Sequence, residues 1–264
     1  VTVLDVGQGD ALLVDLPNGA ALLVDGGGMV GSPIDVGARV IQPVLRARRR
    51  SRVEVVVLSH PHPDHFGGLI STLPLVDVGE IWDTGQGEEN IKRPGLGYAT
   101  FVAAARRKFI SIRGPANLCG PPRAFGGARV SVLAPCPSYV PDASANNNSF
   151  VLRVEYRGRA ALLVGDSERE RERLLVSAEP VALRADFLKV GHHGSRTSSS
   201  WPFLSAVHPT FAAISAGARN RFGHPDPTTL TKLRAIGAQF ARTDRDGAIV
   251  WETDGRTARL WTAR

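Results

Sequence analysis

Residues 58–69 read Leu-Ser-His-Pro-His-Pro-Asp-His-Phe-Gly-Gly-Leu, so that His60, His62, Asp64 and His65 fall within six positions directly after the apolar run Val53–Leu58. A buried strand that ends in such a loop delivers four metal-ligand side chains to one edge of a sheet. Neutral imidazoles and a carboxylate suit Zn, Mn or Fe. The whole chain holds seven histidines, and a chance cluster of three is a poor explanation. The fold must therefore present loops at strand ends, and the expected chemistry is metal-dependent hydrolysis. On an extended stretch His60 and His62 face the same side and can share one ion. Asp64 and His65 lie past the turn, where a helix is expected to begin near Phe66, and can face a second ion.

Further candidate ligands also stand at strand ends. Asp25 closes the apolar run Ala21–Val24, Asp166 follows Ala161–Val164, and His192 and His193 follow Phe187–Val190. Strand-like runs are read at 1–6, 11–16, 21–25, 53–58, 129–133, 150–156, 160–165, 186–190, 211–215 and 247–252. Helices are read over 98–109, over 167–178 with a Ser167-x-x-Glu170 capping box, and from Asp226-Pro227 towards a stop at Gly237. Residues 35–50 look helical by period, but Pro43 argues against one unbroken helix. Gly85–Gly97 and Gly114–Gly127 read as surface loops, and Asp5 and Asp10 as the flanks of a tight turn bordering the site. Strands followed by alternating strands and helices predict an α/β (αββα) sandwich, two mixed sheets between helical layers, in a single domain over 1–264. If His192 and His193 lie on an extended segment, their side chains diverge and only one can serve a given ion.

These motifs resemble, in order, those of the metallo-β-lactamase superfamily. A closer resemblance is to the nuclease-like C-terminal domain of ComEC-type competence DNA-uptake channels. It rests on Leu4-Asp5-Val6-Gly7-Gln8-Gly9-Asp10, Asn146-Asn147-Asn148-Ser149, Gly191-His192-His193-Gly194-Ser195, Asn220-Arg221-Phe222-Gly223-His224-Pro225 and Arg242-Thr243-Asp244-x-Asp246-Gly247. The resemblance implies a metallo-β-lactamase fold and two divalent ions, Mn²⁺ or Zn²⁺, with no small organic cofactor. His60, His62, Asp64, His65, Asp166 and His193 would be ligands, with Asp166 bridging. His192 and His224 would act on substrate, His224 by protonating the leaving oxygen. Asp25 would brace the metal loop, while Asn146, Ser149, Ser195 and Asn220 would lie around the substrate. Many relatives carry Asp where this chain has His62, so metal preference need not transfer. Related dinuclear hydrolases supply a third histidine to the first ion from the interval between His65 and His192, where this chain has none; the resemblance places Asn146–Ser149 at that point, which favours oxygen ligands and makes Mn²⁺ credible.

The implied function is DNA phosphodiester hydrolysis on the non-transported strand during uptake. The partners would be single-stranded DNA and the membrane-channel portion of the same protein, on the extracytoplasmic face of a bacterial membrane. The alternatives are a small-molecule metallohydrolase and a DNA-guiding module that does not cut. A net charge of +7 agrees with a polyanionic partner. No apolar stretch approaches the roughly 18–20 residues of a membrane span, and the chain opens at Val1 inside a strand-like run, as expected of a piece of a longer protein. The cluster Arg46, Arg48, Arg49, Arg50 and Arg52 is either a solvated helix end or a polyanion contact. Cys119 and Cys136 are either one disulfide or two separate thiols.

Overall fold

The computed structural model describes residues 1–87 and 97–264. Residues 88–96, most of the expected Gly85–Gly97 loop, lie outside the described residues. In chain order the strands are β1 (Thr2–Val3), β2 (Leu12–Asp15), β3 (Ala21–Val24), β4 (Arg52–Leu58), β5 (Asp77–Asp83), β6 (Ser111–Arg113), β7 (Arg123–Phe125), β8 (Ala128–Ala134), β9 (Val151–Tyr156), β10 (Arg159–Leu163), β11 (Phe187–Lys189), β12 (Phe211–Ile214), β13 (Gln239–Arg242), β14 (Ile249–Thr253) and β15 (Ala258–Thr262). They form an eight-stranded sheet ordered β15-β14-β1-β2-β3-β4-β5-β6 and a seven-stranded sheet ordered β13-β12-β11-β10-β9-β8-β7. Both are mixed: β3, β4, β5 and β6 run parallel, as do β10, β11, β12 and β13, while the other pairings are antiparallel.

Period-two alternation sorts side chains between layers. Leu22, Val24, Val55 and Val57 enter the inter-sheet core with Val130, Leu152, Leu163 and Phe187 from the opposite sheet. Their neighbours Ala21, Leu23, Val53, Val56 and Leu58 point outward into a second core, which includes Leu69, Phe101 and Ala105. That core joins the first sheet to α2 (Pro63–Thr72) and α3 (Gly97–Arg107). A third core packs Leu162, Leu188 and Ile214 against Leu175, Leu204 and Leu233. These last three belong to α5 (Arg169–Ala178), α6 (Trp201–Val207) and α7 (Pro227–Ala235). The result is the expected αββα sandwich.

Several local expectations change. Residues 37–41 form a π-helical turn that passes into α1 (Gln42–Ala47), with Pro43 in the first turn of α1. Proline is tolerated there because the change of helix type has already released its amide partner. Helix α2 begins at Pro63 rather than near Phe66, so Asp64 and His65 sit in its first turn. Ser167 does not cap α5: Glu168 holds the N-cap position without a side-chain cap bond, and Ser167 is buried. Asp226 does cap α7, accepting a 2.7 Å hydrogen bond from the Thr228 amide. Cys119 and Cys136 are joined as a disulfide. In the basic cluster, Arg48 and Arg50 pair with Asp15, and Arg52 pairs with Asp77. Three of its five arginines thus serve the fold.

A candidate metal centre at the strand ends

The C-terminal ends of β3, β4, β10 and β11 meet at one edge of the sandwich. The loops leaving them carry Asp25, the His60–His65 run, Asp166 and His192–His193. Pro61 and Pro63 stiffen the extended backbone up to His62, the N-cap residue of α2, at φ −93° and ψ 145°. The loop is held from above by the N-terminal turn, where the Asp10 amide donates to the Asp64 carbonyl at 3.1 Å. A Cβ on Gly9 would come within 2.3 Å of that carbonyl oxygen, so only glycine permits this approach.

His60, His65, Asp166 and His193 are buried, whereas His62, Asp64 and His192 are partly open. The Asp166 Oδ2 lies 3.4 Å from His65 Nε2, 3.4 Å from His193 Nε2 and 3.9 Å from His60 Nε2. The Asp64 Oδ2 is 3.4 Å from His193 Nε2, and His60 Nε2 is 3.0 Å from His62 Nδ1. One carboxylate therefore sits between the two expected ligand groups. Ligand atoms of His60, His65 and Asp166, and of Asp64, His65 and His193, all approach within 4.8 Å of one another.

The far sides of these rings are braced. His65 Nδ1 lies 2.8 Å from Asp25 Oδ2, and Asp25 Oδ1 accepts from the Ser59 amide at 2.7 Å. Asp25 thus ties His65 to the loop backbone, as expected of it. His193 Nδ1 donates to the Ser215 carbonyl at 3.0 Å and faces Asp10 Oδ1 at 3.2 Å. Such partners at Nδ1 leave the Nε2 lone pairs available inward. His65 Nε2, His193 Nε2, Asp166 Oδ1 and Asp10 Oδ1 are all buried without a hydrogen-bond partner. Buried polar atoms are rarely left so. The first three belong to side chains gathered around Asp166, with both Nε2 atoms 3.4 Å from its Oδ2; such a cluster fits divalent cations, and the oxygen–imidazole set suits Zn²⁺ or Mn²⁺.

Electrostatics point the same way. Burial alone would lower the His193 pKa, but Asp166, Asp10 and Asp64 outweigh it and push it up to about 10. Burial likewise opposes charge on His65, yet Asp166 and Asp25 hold its pKa well above the ordinary value. Without a cation, a proton is what neutralises this carboxylate-rich pocket. His60 is driven the other way, by burial and by neighbouring His65.

The structure corrects the expectation of an extended His192–His193 segment. Both residues adopt left-handed backbone angles, φ 48° and φ 53°, in a tight turn over 191–194. The two rings still separate: His193 points into the cluster, while His192 is partly open, with Nε2 3.8 Å from Asp166 Oδ2. Ser149 meets the Nδ1 side of His60, its Oγ lying 3.3 Å from that nitrogen and accepting from the Asp166 amide at 3.1 Å. Asn146 Oδ1 is buried and unpartnered. Asn147 and Asn148 bind backbone and are structural. Ser195 is buried, 2.9 Å from the Thr197 hydroxyl. Asn220 shapes the 217–224 loop, its amide bonding the carbonyls of Gly217 and His224. His224 is half-buried, with its ring 5.4 Å from that of His192.

Three contributors escape sequence reasoning. Asp10, expected only to border the site, is buried in it and paired at 2.6 Å with the equally buried Lys189. A lysine inside an apolar strand end was the available signal, since buried lysine demands a partner. Glu168 lies 3.2 Å from His192 Nδ1 and accepts from Thr197 at 2.6 Å. Ser215 meets His193 through its backbone carbonyl, which no side-chain pattern can announce.

The metallo-beta-lactamase superfamily profile matches residues 4–217. The chain belongs to that superfamily. Its members are metal-dependent hydrolases, and the fold binds divalent metals. Over 97% of its length the chain is 30% identical to ComE operon protein 3 of Bacillus subtilis, covering 33% of that protein. It is 34% identical to Competence protein ComA of Neisseria gonorrhoeae over 94% of its own length and 31% of that protein. The chain therefore spans about a third of these relatives. Among solved structures it is similar to CmlA, a diiron beta-hydroxylase from Streptomyces venezuelae, with a TM-score of 0.58 and 15% identity over 91% of this chain and 52% of that one. It is also similar to Igni18, a metallo hydrolase from Ignicoccus hospitalis, with a TM-score of 0.54 and 12% identity over 100% and 99% of the two chains. These likenesses show a shared fold. Among the described residues no helix is long and apolar enough to cross a membrane.

Proposed function

We propose that the chain is a metal-dependent phosphodiesterase that cleaves DNA, acting on the strand that is not transported during competence DNA uptake. The observation that carries the metal reading is the gathering of the buried, unpartnered Nε2 atoms of His65 and His193 at 3.4 Å from the Asp166 carboxylate. The DNA reading is supported by the competence names of the relatives, the charge of +7 and the partly open rim of His192 and His224. His60, His62 and Asp166 would hold one divalent ion, Mn²⁺ or Zn²⁺, and Asp64, His65, His193 and the shared Asp166 a second. Bound ions would polarise a phosphoryl oxygen and acidify water.

The chain's own residues supply the rest. His192, aligned by Glu168, presents Nε2 to an incoming phosphate. Burial and the neighbouring imidazoles lower the His224 pKa to about 4, so His224 enters neutral and donates a hydrogen bond. It delivers a proton to the leaving oxygen only once an anionic substrate raises that pKa. Ser195 and Asn220 support this rim rather than reach substrate themselves. The disulfide supports an oxidising, extracytoplasmic setting, beside a membrane-channel portion of the same protein.

The test is incubation with end-labelled single- and double-stranded DNA across Mn²⁺, Zn²⁺ and Mg²⁺, with a chelator control. Cleavage that needs Mn²⁺ or Zn²⁺ is expected. Salt-sensitive DNA binding without cleavage would indicate a guiding module instead. Hydrolysis of small esters with DNA left intact would indicate a small-molecule hydrolase.

A further inference from the structure

The 217–224 loop leaves the site carrying an exposed aromatic ring that lies between an arginine and an imidazole. Phe222 is 49% exposed. Its ring stacks on His224 at 5.8 Å and 24°, and the Arg221 guanidinium lies 5.0 Å from its centroid. His224 in turn contacts the rings of His192 and His193 at 5.4 and 6.3 Å. A file of rings thus runs from the candidate metal centre to solvent. The loop is held in shape: Asn220 Oδ1 accepts from the amides of Phe222 and His224 at 3.1 and 3.0 Å, and its Nδ2 binds two carbonyls. Arg219 and Arg221 are exposed and have no salt-bridge partner among the described residues, in contrast to Arg48, Arg50 and Arg52. The loop thus holds a solvent-facing ring in a fixed orientation at the rim of the candidate metal centre, with two exposed arginines beside it.

Resting on the reading of DNA as substrate, we infer that Phe222 is a base-stacking platform for a nucleotide adjoining the scissile phosphate, with Arg221 and Arg219 on the flanking phosphates. The ring's π-face accepts any base, and only a base free of a duplex can reach it, so the platform selects unpaired strands without selecting sequence. Arg221 rests on the ring until a base takes its place, then reaches the phosphate.

Binding in chelator separates this site from catalysis. Fluorescence anisotropy is measured with a labelled oligothymidylate, the same backbone without bases, and a blunt duplex. Phe222→Ala is expected to weaken the oligothymidylate by about ten-fold and to leave the other two unchanged, while Phe222→Trp retains full binding. Arg221→Gln should weaken all three and flatten the salt dependence. Equal loss on all three ligands in Phe222→Ala, or no loss on any, overturns the platform. Base-dependent binding in a protein that cleaves no DNA would support the platform while overturning the nuclease reading. Cleavage without base-dependent binding would do the reverse.

Discussion

The two proposed ion positions differ in how they are held. At the second, His65 and His193 are both buried and both have Nδ1 fixed, by Asp25 and by Ser215 with Asp10. At the first, the partners of His60 Nδ1 among the described residues are serine hydroxyls, those of Ser59 at 3.1 Å and Ser149 at 3.3 Å, and His62 stands partly in solvent. Charged partners orient a ligand more strongly than hydroxyls do. The second position is therefore the preorganised one. The first is the adaptable one, where a substrate oxygen has room to enter. Binding should be sequential, with the second position filling first.

The largest expected effect comes from destroying the preorganised position. Asp64→Ala should reduce hydrolysis to background while circular dichroism and the melting transition show an intact fold, because Asp64 is a partly exposed carboxylate in the first turn of α2 and no part of the packed cores. Cleavage retained by a folded Asp64→Ala protein would remove it from the site. Next comes the histidine pair. His193→Ala should lose the second ion, read by elemental analysis, together with nearly all activity. His192→Ala should keep its metal and lose about 100-fold in rate. Both variants replace a residue at positive φ and so carry a similar backbone cost; because His193 is also the more deeply packed, metal content rather than stability is the readout that separates their roles. The reverse pattern of metal content would exchange their roles.

The braces should matter less than the ligands. Asp25→Asn is expected to weaken metal binding by about 10- to 100-fold, measured by competition with a chromophoric chelator; an unchanged affinity would mean that His65 needs no orientation. A pH test follows from His193. Its pKa rises from an ordinary 6.5 to about 10 in the metal-free fold. Stability from its protonated form is thus fully present below about 6.5 and is lost as pH rises towards 10. Melting of metal-free protein should decline over that window, and loading at pH 7.5 should release protons. The smallest effect should come from Ser149→Ala, which removes one of the two hydroxyls on His60 Nδ1 and should loosen the first ion by a few-fold with little change at the second position. An unchanged affinity would show that the Ser59 hydroxyl alone orients His60.

Legibility followed locality. The His60–His65 run could be read because one short segment carries all four side chains after an unmistakable strand. Asp166 and His193 could be read because each ends an apolar run. The sandwich was legible for the same reason, although β5, β6, β7, β13 and β15 were not seen. Strand β6 is three residues long and exposed throughout, so no burial pattern marks it. Asp10 was misjudged because a Gly-rich turn looks like surface until Lys189 arrives from residues 187–189 to bury it. The His192–His193 geometry was misjudged because alternation holds only for extended backbone, and two histidines at positive φ leave no trace in composition.

The reach of Asp10 has a consequence for how the protein comes into being. Its carboxylate answers Lys189 and His193, while its amide holds the Asp64 carbonyl. Beside it, Gly9 offers its carbonyl to the Ser215 hydroxyl at 2.6 Å. These contacts join residues separated by up to 206 positions, so no chain that stops short of Ser215 contains the complete pocket. Such non-local pairings form late and slowly. A nascent or truncated chain should then be unable to load metal, and metal uptake would mark the moment at which the first and last thirds of the domain have found each other.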